Sequence, residues 1–235
     1  MRAPQSSASL KRKGAKRKSY DRVLIVCEGE KTEPHYLREV QKALSLSATN
    51  FRIVDCKEAG GTAPQTIVEA AIAQFAADRD YDRVYCVIDR DGHTTFDAAV
   101  DRVRSKKLRK GPEAATPGFA TFEVIRSLPC FEFWILLHYE FTTHAYTNSG
   151  ATIRRLKTHA EMAAYEKANT TLFSRTRHRL FGRNGAFARS RQVHAACERD
   201  GATAPLTDID KLLRDLISIA NKTEKELVNL WGSAD

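Results

Sequence analysis

The sequence has no long hydrophobic run and no grouping of cysteines. Its longest apolar stretch, at residues 130–139, is interrupted by Glu132 and His138, so it is too short to cross a bilayer. The N-terminus has no apolar segment typical of a secretory signal. The five cysteines form neither a CxxC pair nor a zinc-ligand spacing. We therefore expect a cytoplasmic protein with reduced, buried thiols and no membrane partner.

Glycine and proline are also scarce, at 12 and 7 of 235 residues, which excludes a collagen-like or low-complexity chain. The 42% of hydrophobic residues is enough for a core. The net charge of +9 lies mostly in residues 1–20, which contain seven Lys and Arg residues and no acid. We expect these residues to form a disordered basic tail, which either contacts phosphate backbones or only solubilises the chain.

Residues 21–140 alternate between short apolar runs and helical patterns. Strands are predicted at residues 22–27, 51–56, 83–89 and 119–125, with helices at 33–46, 62–77, 94–110 and 130–139. This order predicts an α/β domain with a mostly parallel four-stranded sheet and flanking helices. The rest of the chain, residues 141–235, predicts a helical C-terminal region packed on that domain. Its helices are expected near residues 152–168, 187–198, 207–220 and 223–231.

Carboxylates follow two of the predicted strands. Glu28 follows the first strand, and Asp89 and Asp91 end the third. Sites in parallel α/β sheets form at the carboxyl ends of the strands, so these side chains converge if the two strands are neighbours. Carboxylate oxygens are the ligands that Mg²⁺ prefers. The pattern therefore predicts a Mg²⁺ or Mn²⁺ site at which Glu28 moves a proton.

Other polar residues lie near these strand ends. Glu30 and Glu33 share the loop and helix start of Glu28, and either could be a further metal ligand. Glu132, in the first turn of an apolar helix, either joins the carboxylates or only complements the helix dipole. His93 follows Asp89-Arg-Asp-Gly92 directly, and it either orients a substrate or has no role in the site.

Several basic residues have the composition of a nucleic-acid interface. Lys31 and Arg126 lie near strand ends, where they could pair with a substrate phosphate or form surface salt bridges. A later segment interleaves arginines with aromatic residues, which is typical of a nucleic-acid groove, although solvated helix faces look similar. The segment runs from residue 175 to 191 and contains Arg175, Arg177, Arg179, Arg183, Arg189 and Arg191, of which the first four are the predicted nucleic-acid ligands.

Three ordered segments carry a resemblance to known families. They are Leu-Ile-Val-Cys-Glu-Gly-Glu-Lys-Thr-Glu-Pro at residues 24–34, Val-Ile-Asp-Arg-Asp-Gly-His at 87–93, and Ser-Leu-Pro-Cys-Phe-Glu-Phe-Trp-Ile-Leu-Leu-His at 127–138. A strand ending in Glu-Gly, with a later strand ending in Asp-x-Asp, resembles the Toprim pattern of topoisomerases, primases and OLD-family nucleases. The three segments together resemble the RloB-like proteins more closely.

The resemblance implies a Toprim-like, Rossmann-like fold over residues 21–140, with Glu28 as general acid or base and Asp89 and Asp91 as metal ligands. It further implies a metal-dependent nuclease acting on DNA or RNA in phage defence or abortive infection, with a partner ATPase of the ABC/OLD type. Two other functions stay open: a non-catalytic module that binds nucleic acid or a partner, and a phosphatase of the haloacid dehalogenase type. The phosphatase alternative arises because Asp89-Arg-Asp-Gly92 is similar to the nucleophile loop of the haloacid dehalogenase family. The oligomeric state is not indicated.

Overall fold

The computed structural model describes residues 21–234, so the predicted basic tail at residues 1–20 lies outside the described residues. The described chain forms an α/β fold, as predicted. Its strands are β1 (Val23–Cys27), β2 (Phe51–Val54), β3 (Arg83–Asp89), β4 (Leu108–Arg109), β5 (Phe119–Leu128) and β6 (Leu206–Thr207). Its first five α-helices are α1 (Thr32–Ala43), α2 (Cys56–Ala59), α3 (Pro64–Ala77), α4 (Phe96–Ser105) and α5 (Glu132–Leu136). The later ones are α6 (Ser149–Leu156), α7 (Leu172–Thr176), α8 (Ala186–Asp200), α9 (Ile209–Ile219) and α10 (Glu224–Trp231).

The six strands form one mixed sheet in the order β2-β1-β3-β5-β4, with β6 also paired to β5. β1 pairs in parallel with β2 and β3, and β3 pairs in parallel with β5. β4 and β6 are both antiparallel to β5. The predicted count of four strands is therefore wrong. Two-residue strands leave no periodic pattern in a sequence, and Leu108–Arg109 lies where a helix was predicted to reach residue 110.

The continuous apolar run of β1 is explained by burial on both faces of the sheet. All five of its residues are fully buried. Val23, Ile25 and Cys27 belong to one hydrophobic cluster, which includes residues of α1. Leu24 and Val26 point to the opposite face and pack in a second cluster with residues of α3 and α4. Helices on both faces thus hold the central strands, and the strand ends carry the polar groups.

The helices of the second half of the chain pack against the same face of the sheet as α1. Leu156, Phe173, Phe187, Leu212 and Trp231 join the first cluster, which also contains apolar residues of β1 and α5. A shared apolar core therefore joins the two halves of the chain. All five cysteines are buried and free. Among residues 21–234, no helix combines the length and the apolar character needed to cross a bilayer.

Candidate active site

The carboxyl ends of β1 and β3 bring Glu28 and Asp89 together. The two strands are parallel neighbours, with Cys27 opposite Val87. The Glu28 backbone N–H continues this pairing by donating to the Val87 carbonyl at 3.0 Å. Its side chain then turns across the strand end, where Oε2 accepts a hydrogen bond from the Asp89 backbone N–H at 3.0 Å. Adjacent strands therefore place both acids at the same edge of the sheet.

Backbone donors orient the two aspartates. Asp89 Oδ2 accepts a hydrogen bond from the Phe131 N–H, just before α5, at 3.1 Å. Asp91 Oδ1 accepts one from the Ser149 N–H, at the start of α6, at 3.2 Å. The other oxygen of Asp89, Oδ1, is buried and has no hydrogen-bond partner. An ionised carboxylate oxygen in this position lacks the donor or cation that burial normally requires.

Two more buried glutamates come from helix starts. Glu33 lies in the first turn of α1, and its carboxylate reaches back beneath Gly29. A Cβ added to Gly29 would lie only 1.7 Å from Glu33 Oε2, so no larger residue fits there while Glu33 keeps this position. Glu132 lies in the first turn of α5 and is 2% exposed. Its Oε1 accepts a hydrogen bond from the Tyr165 hydroxyl at 3.0 Å.

These acids line a single cavity of about 380 Å³. Six carboxylates, two lysines and one histidine contribute to its wall. They are Glu28, Glu30, Glu33, Asp89, Asp91 and Glu132, with Lys31, Lys167 and His93. Glu30 is at the more exposed rim, where it pairs with Lys57 at 2.8 Å. The cavity therefore contains more negative than positive charge.

Burial and mutual repulsion raise the pKa values of three of the carboxyls. Burial is the main cause of the rise in the pKa of Glu28 to about 8, to which Glu33 and Asp91 add by repulsion. Burial, together with repulsion from Glu132, raises the pKa of Glu33 to about 7. The pKa of Asp89 is also raised, by burial first and then by Glu33, Glu28 and Glu132. The cavity therefore favours protons or another cation among these oxygens.

The oxygen-rich composition of the cavity fits a hard divalent cation. Mg²⁺ takes one or two carboxylates and completes its coordination with water and substrate phosphate. Among residues 21–234, no group of three or more His, Cys, Asp or Glu residues is arranged to hold a metal ion on its own. The unpartnered Asp89 Oδ1 supplies one position for such an ion. The residues thus fit an ion that keeps part of its water shell better than one enclosed by protein.

Comparison with known proteins identifies the family. The family model described as RloB-like protein matches residues 23–216, which is most of the chain. The chain belongs to the RloB-like protein family. The family resemblance of the three sequence segments is thereby confirmed. No curated protein and no solved structure gives a significant match to this RloB-like chain.

The second half of this RloB-like chain contributes two residues that the sequence analysis did not identify. Lys167 Nζ lies 3.8 Å from Glu132 Oε1, and Tyr165 donates to the same oxygen. The Lys167 carbonyl accepts a hydrogen bond from the Thr32 hydroxyl, which ties this segment to the start of α1. Burial tends to lower the pKa of Lys167, but attraction to Glu132 and other acids outweighs it and raises the pKa. No local motif around Lys167 indicated this position.

His93 also faces the carboxylates. The backbone turn after β3 is closed by a hydrogen bond from the His93 N–H to the Arg90 carbonyl at 2.8 Å. This turn brings the imidazole back over the strand end, and Nε2 lies 3.0 Å from Glu28 Oε1. Both side-chain oxygens of Glu28 are thus engaged, one by His93 and the other by the Asp89 N–H. A proton on Glu28 or His93 can be shared across this contact.

The predicted nucleic-acid arginines do not line the cavity. Arg126 Nε donates to Asp208 Oδ2 at 2.6 Å, and that aspartate is buried. Arg179 pairs with Glu161 Oε1 at 2.5 Å, and Arg175 donates to the Glu161 carbonyl oxygen. Arg177 belongs to a 3₁₀ turn, Arg177–Arg179, and Arg183 is exposed shortly after it. Of the predicted phosphate-binding residues, Lys31 is the one that the cavity lining includes.

Proposed function

We propose that the protein is a divalent-metal-dependent nuclease of the Toprim type, which hydrolyses phosphodiester bonds in DNA or RNA. The main support is Asp89, whose buried Oδ1 has no hydrogen-bond partner and which lines a cavity together with five other carboxylates. The wall contains only two lysines and one histidine, so protons on the buried acids must offset much of the negative charge in the metal-free protein. A bound cation would take the place of those protons.

The residues that would hold Mg²⁺ or Mn²⁺ are Asp89 and Asp91. Glu28, Glu33 or Glu132 would become a further ligand by moving towards the ion, since no three such groups among residues 21–234 are already arranged around one point. Glu30 is a weaker candidate, because Lys57 already neutralises it at the rim. When bound, such an ion polarises a phosphoryl oxygen and stabilises the charge that develops on the phosphate. The hydrogen bonds from Phe131 and Ser149 keep the two aspartates oriented before any ligand arrives.

Glu28 is suited to proton transfer. Its raised pKa of about 8 means that it can both hold and release a proton near neutral pH. His93 Nε2, 3.0 Å from Glu28 Oε1, provides a second site for that proton. Lys167 and Lys31 place positive charge on the cavity wall, where each could attract a phosphate oxygen. These groups together account for proton transfer and substrate attraction without a histidine or cysteine metal site.

The biological setting follows from the family resemblance alone. RloB-like and OLD-type proteins suggest phage defence or abortive infection, in association with a partner ATPase of the ABC/OLD type. The Toprim-like fold is likewise part of this proposal. It is supported by the parallel pairing of β1 with β3 and by the carboxylates that follow both strands.

The test is cleavage by purified protein. Supercoiled plasmid, linear DNA and single-stranded RNA are incubated with Mg²⁺, Mn²⁺ or EDTA, and the products are separated by electrophoresis. Cleavage should require the metal and should fall at least 100-fold in Asp89→Asn. The matched control is Asp101→Asn, which removes one carboxylate from the exposed side of α4 and should cleave like the wild type. Equal cleavage by the wild type and Asp89→Asn would refute the assignment.

A non-catalytic binding module is the competing function. It predicts no cleavage with either metal, and nucleic-acid or partner binding that is unchanged in Asp89→Asn. Both proteins should be tested with and without an ATPase of the ABC/OLD type, because the cleavage activity would be missed if it required such a partner.

A further inference from the structure

A basic crevice lies beside β2, towards the amino ends of the central strands, whereas the carboxylate cavity lies at their carboxyl ends. Among the described residues, β2 is the outer strand on this side of the sheet. A cavity of about 540 Å³ lies between β2 and the later turns of α1. The charged residues in its wall are Arg22, Arg38, Lys42, Arg52 and Asp78. Four cations and a single acid give this crevice the opposite charge to the carboxylate cavity.

The single acid and two of the cations are already paired. Arg22 binds Asp78 and Asp80, each at 2.8 Å, and its guanidinium lies 5.0 Å from the centre of the Tyr81 ring. Arg52 forms an ion pair with Glu58. Within residues 21–234, Arg38 and Lys42 take part in no ion pair of this kind, although both line the crevice. Their charge is available to an anion from outside the chain.

The helix α1 connects this crevice with the carboxylate cavity. Arg38 and Lys42 are four residues apart, so they lie on one face of the helix, and Lys31 directly precedes its first residue. Lys31 lines the carboxylate cavity, whereas Arg38 and Lys42 line the basic crevice. A second segment also contributes to both cavities, because Arg52 of β2 lines the crevice and Cys56 of α2 lines the carboxylate cavity.

The length of this basic face distinguishes between possible anions. From Lys31 to Lys42 the helix rises about 16 Å, at 1.5 Å per residue. That distance exceeds a single phosphate or carboxylate and corresponds to about five nucleotides at a rise of 3.4 Å each. A linear polyanion with regularly spaced charges fits this length.

We infer that a nucleic-acid strand lies in this crevice, with its phosphates against Arg38 and Lys42, and enters the carboxylate cavity past Lys31. The inference rests on the proposed nuclease function and names the surface that holds its substrate. It also moves the binding surface away from the segment 175–183, in which Arg175 and Arg179 are occupied by Glu161.

The test measures binding without cleavage. A fluorescein-labelled 20-nucleotide single-stranded DNA is titrated with full-length protein in EDTA at several salt concentrations, and fluorescence anisotropy gives Kd. The test variant is Arg38→Gln/Lys42→Gln. The control is Arg104→Gln/Lys107→Gln, which removes two exposed positive charges at the end of α4. Every protein retains residues 1–20, so any contribution of that segment is the same in all of them.

The test variant should bind on the order of tenfold more weakly at 0.1 M salt. The slope of its plot of log K against log salt concentration should be smaller in magnitude by about 1.4, because each lost phosphate contact contributes about 0.7 for single strands. The control should stay within twofold of the wild type. The reversed pair Arg38→Lys/Lys42→Arg should retain binding, which separates loss of charge from misfolding. Equal weakening in the test and control variants, or none in the test variant, would overturn the inference.

Failure of the crevice inference can be distinguished from failure of the proposed nuclease function. Absence of cleavage with every metal would refute the nuclease while leaving the binding comparison intact. Metal-dependent cleavage with an unchanged Kd and KM for Arg38→Gln/Lys42→Gln would refute the crevice and leave the nuclease standing.

Discussion

Replacement of Glu28 by glutamine should stabilise the metal-free protein relative to the wild type, and this difference in stability should grow as the pH rises. In the wild type, the pKa of Glu28 is about 8 in the folded protein, against an ordinary value of 4.5. Between these two values the folded state holds a proton that the unfolded state has released, so wild-type stability falls as the pH increases. Glutamine is neutral at every pH and retains the shape of the protonated acid.

The structure sets the size of the effect. The Glu28 side chain is 11% exposed, so solvent screens its charge only weakly. One pKa unit corresponds to about 1.4 kcal/mol, so two pH units within the window change the relative stability by about 3 kcal/mol. The glutamine oxygen can still accept from the Asp89 N–H, and its amide group can donate to His93 Nε2. The stabilisation of Glu28→Gln over the wild type should therefore be small at pH 5.5 and larger by that amount at pH 7.5.

Urea denaturation in EDTA, followed by the fluorescence of the buried residues Trp134 and Trp231, provides the free energies of unfolding. Glu113→Gln, which removes an exposed acid from the loop before β5, serves as the charge-matched control and should follow the wild-type curve. A stability difference between Glu28→Gln and the wild type that is the same at pH 5.5 and 7.5 would refute the reasoning, as would a wild type that gains stability over this range.

Three other substitutions test separate parts of the site. Lys167→Met removes a cation that faces Glu132 and should strengthen Mg²⁺ binding several-fold by calorimetry, because the metal no longer competes with the lysine; unchanged affinity would contradict this. Gly29→Ala places a methyl group against the carboxylate end of Glu33, which must swing aside, so it should lower the cleavage activity while costing little stability. In its control, Gly111→Ala, the added methyl group meets the Arg79 Cβ at 3.4 Å and the Arg79 carbonyl oxygen at 3.8 Å, and this variant should melt and cleave like the wild type. Arg126→Met leaves the buried Asp208 with Lys211 as its remaining cation and should cost about 1–3 kcal/mol in urea denaturation without weakening oligonucleotide binding; the reverse result would make Arg126 a nucleic-acid ligand.

The sequence was most informative where burial is complete. The apolar runs of β1 and β3 predict central strands because both faces of each are covered, and the acids that follow them are placed by the sheet itself. Given only that these strands are neighbours, Glu28 and Asp89 must meet. The structure supplies that adjacency, and it brings Glu33 and Glu132 to the same cavity.

What the sequence could not predict depends on contacts between distant segments. The two-residue strands β4 and β6 exist because β5 offers them a partner, and pairing overrides the helical pattern around Leu108. Lys167 reaches the site through the hydrogen bond between its carbonyl and Thr32, across more than a hundred residues. The pattern around Arg175 and Arg179 predicts a nucleic-acid groove because their partner, Glu161, lies in a different turn and is not apparent from the local sequence.

The packing of the second half against α1 has a practical consequence for anyone who wishes to isolate the α/β portion. A fragment truncated after β5 and α5 would lose Tyr165 and Lys167 from the carboxylate cavity. It would also expose to water the apolar face that Leu172, Phe187 and Leu212 now cover. Such a fragment should aggregate, and its inactivity would say nothing about the chemistry. Chimeras between relatives should therefore exchange residues 160–170 together with α1, because the two segments contact each other through Thr32 and Lys167.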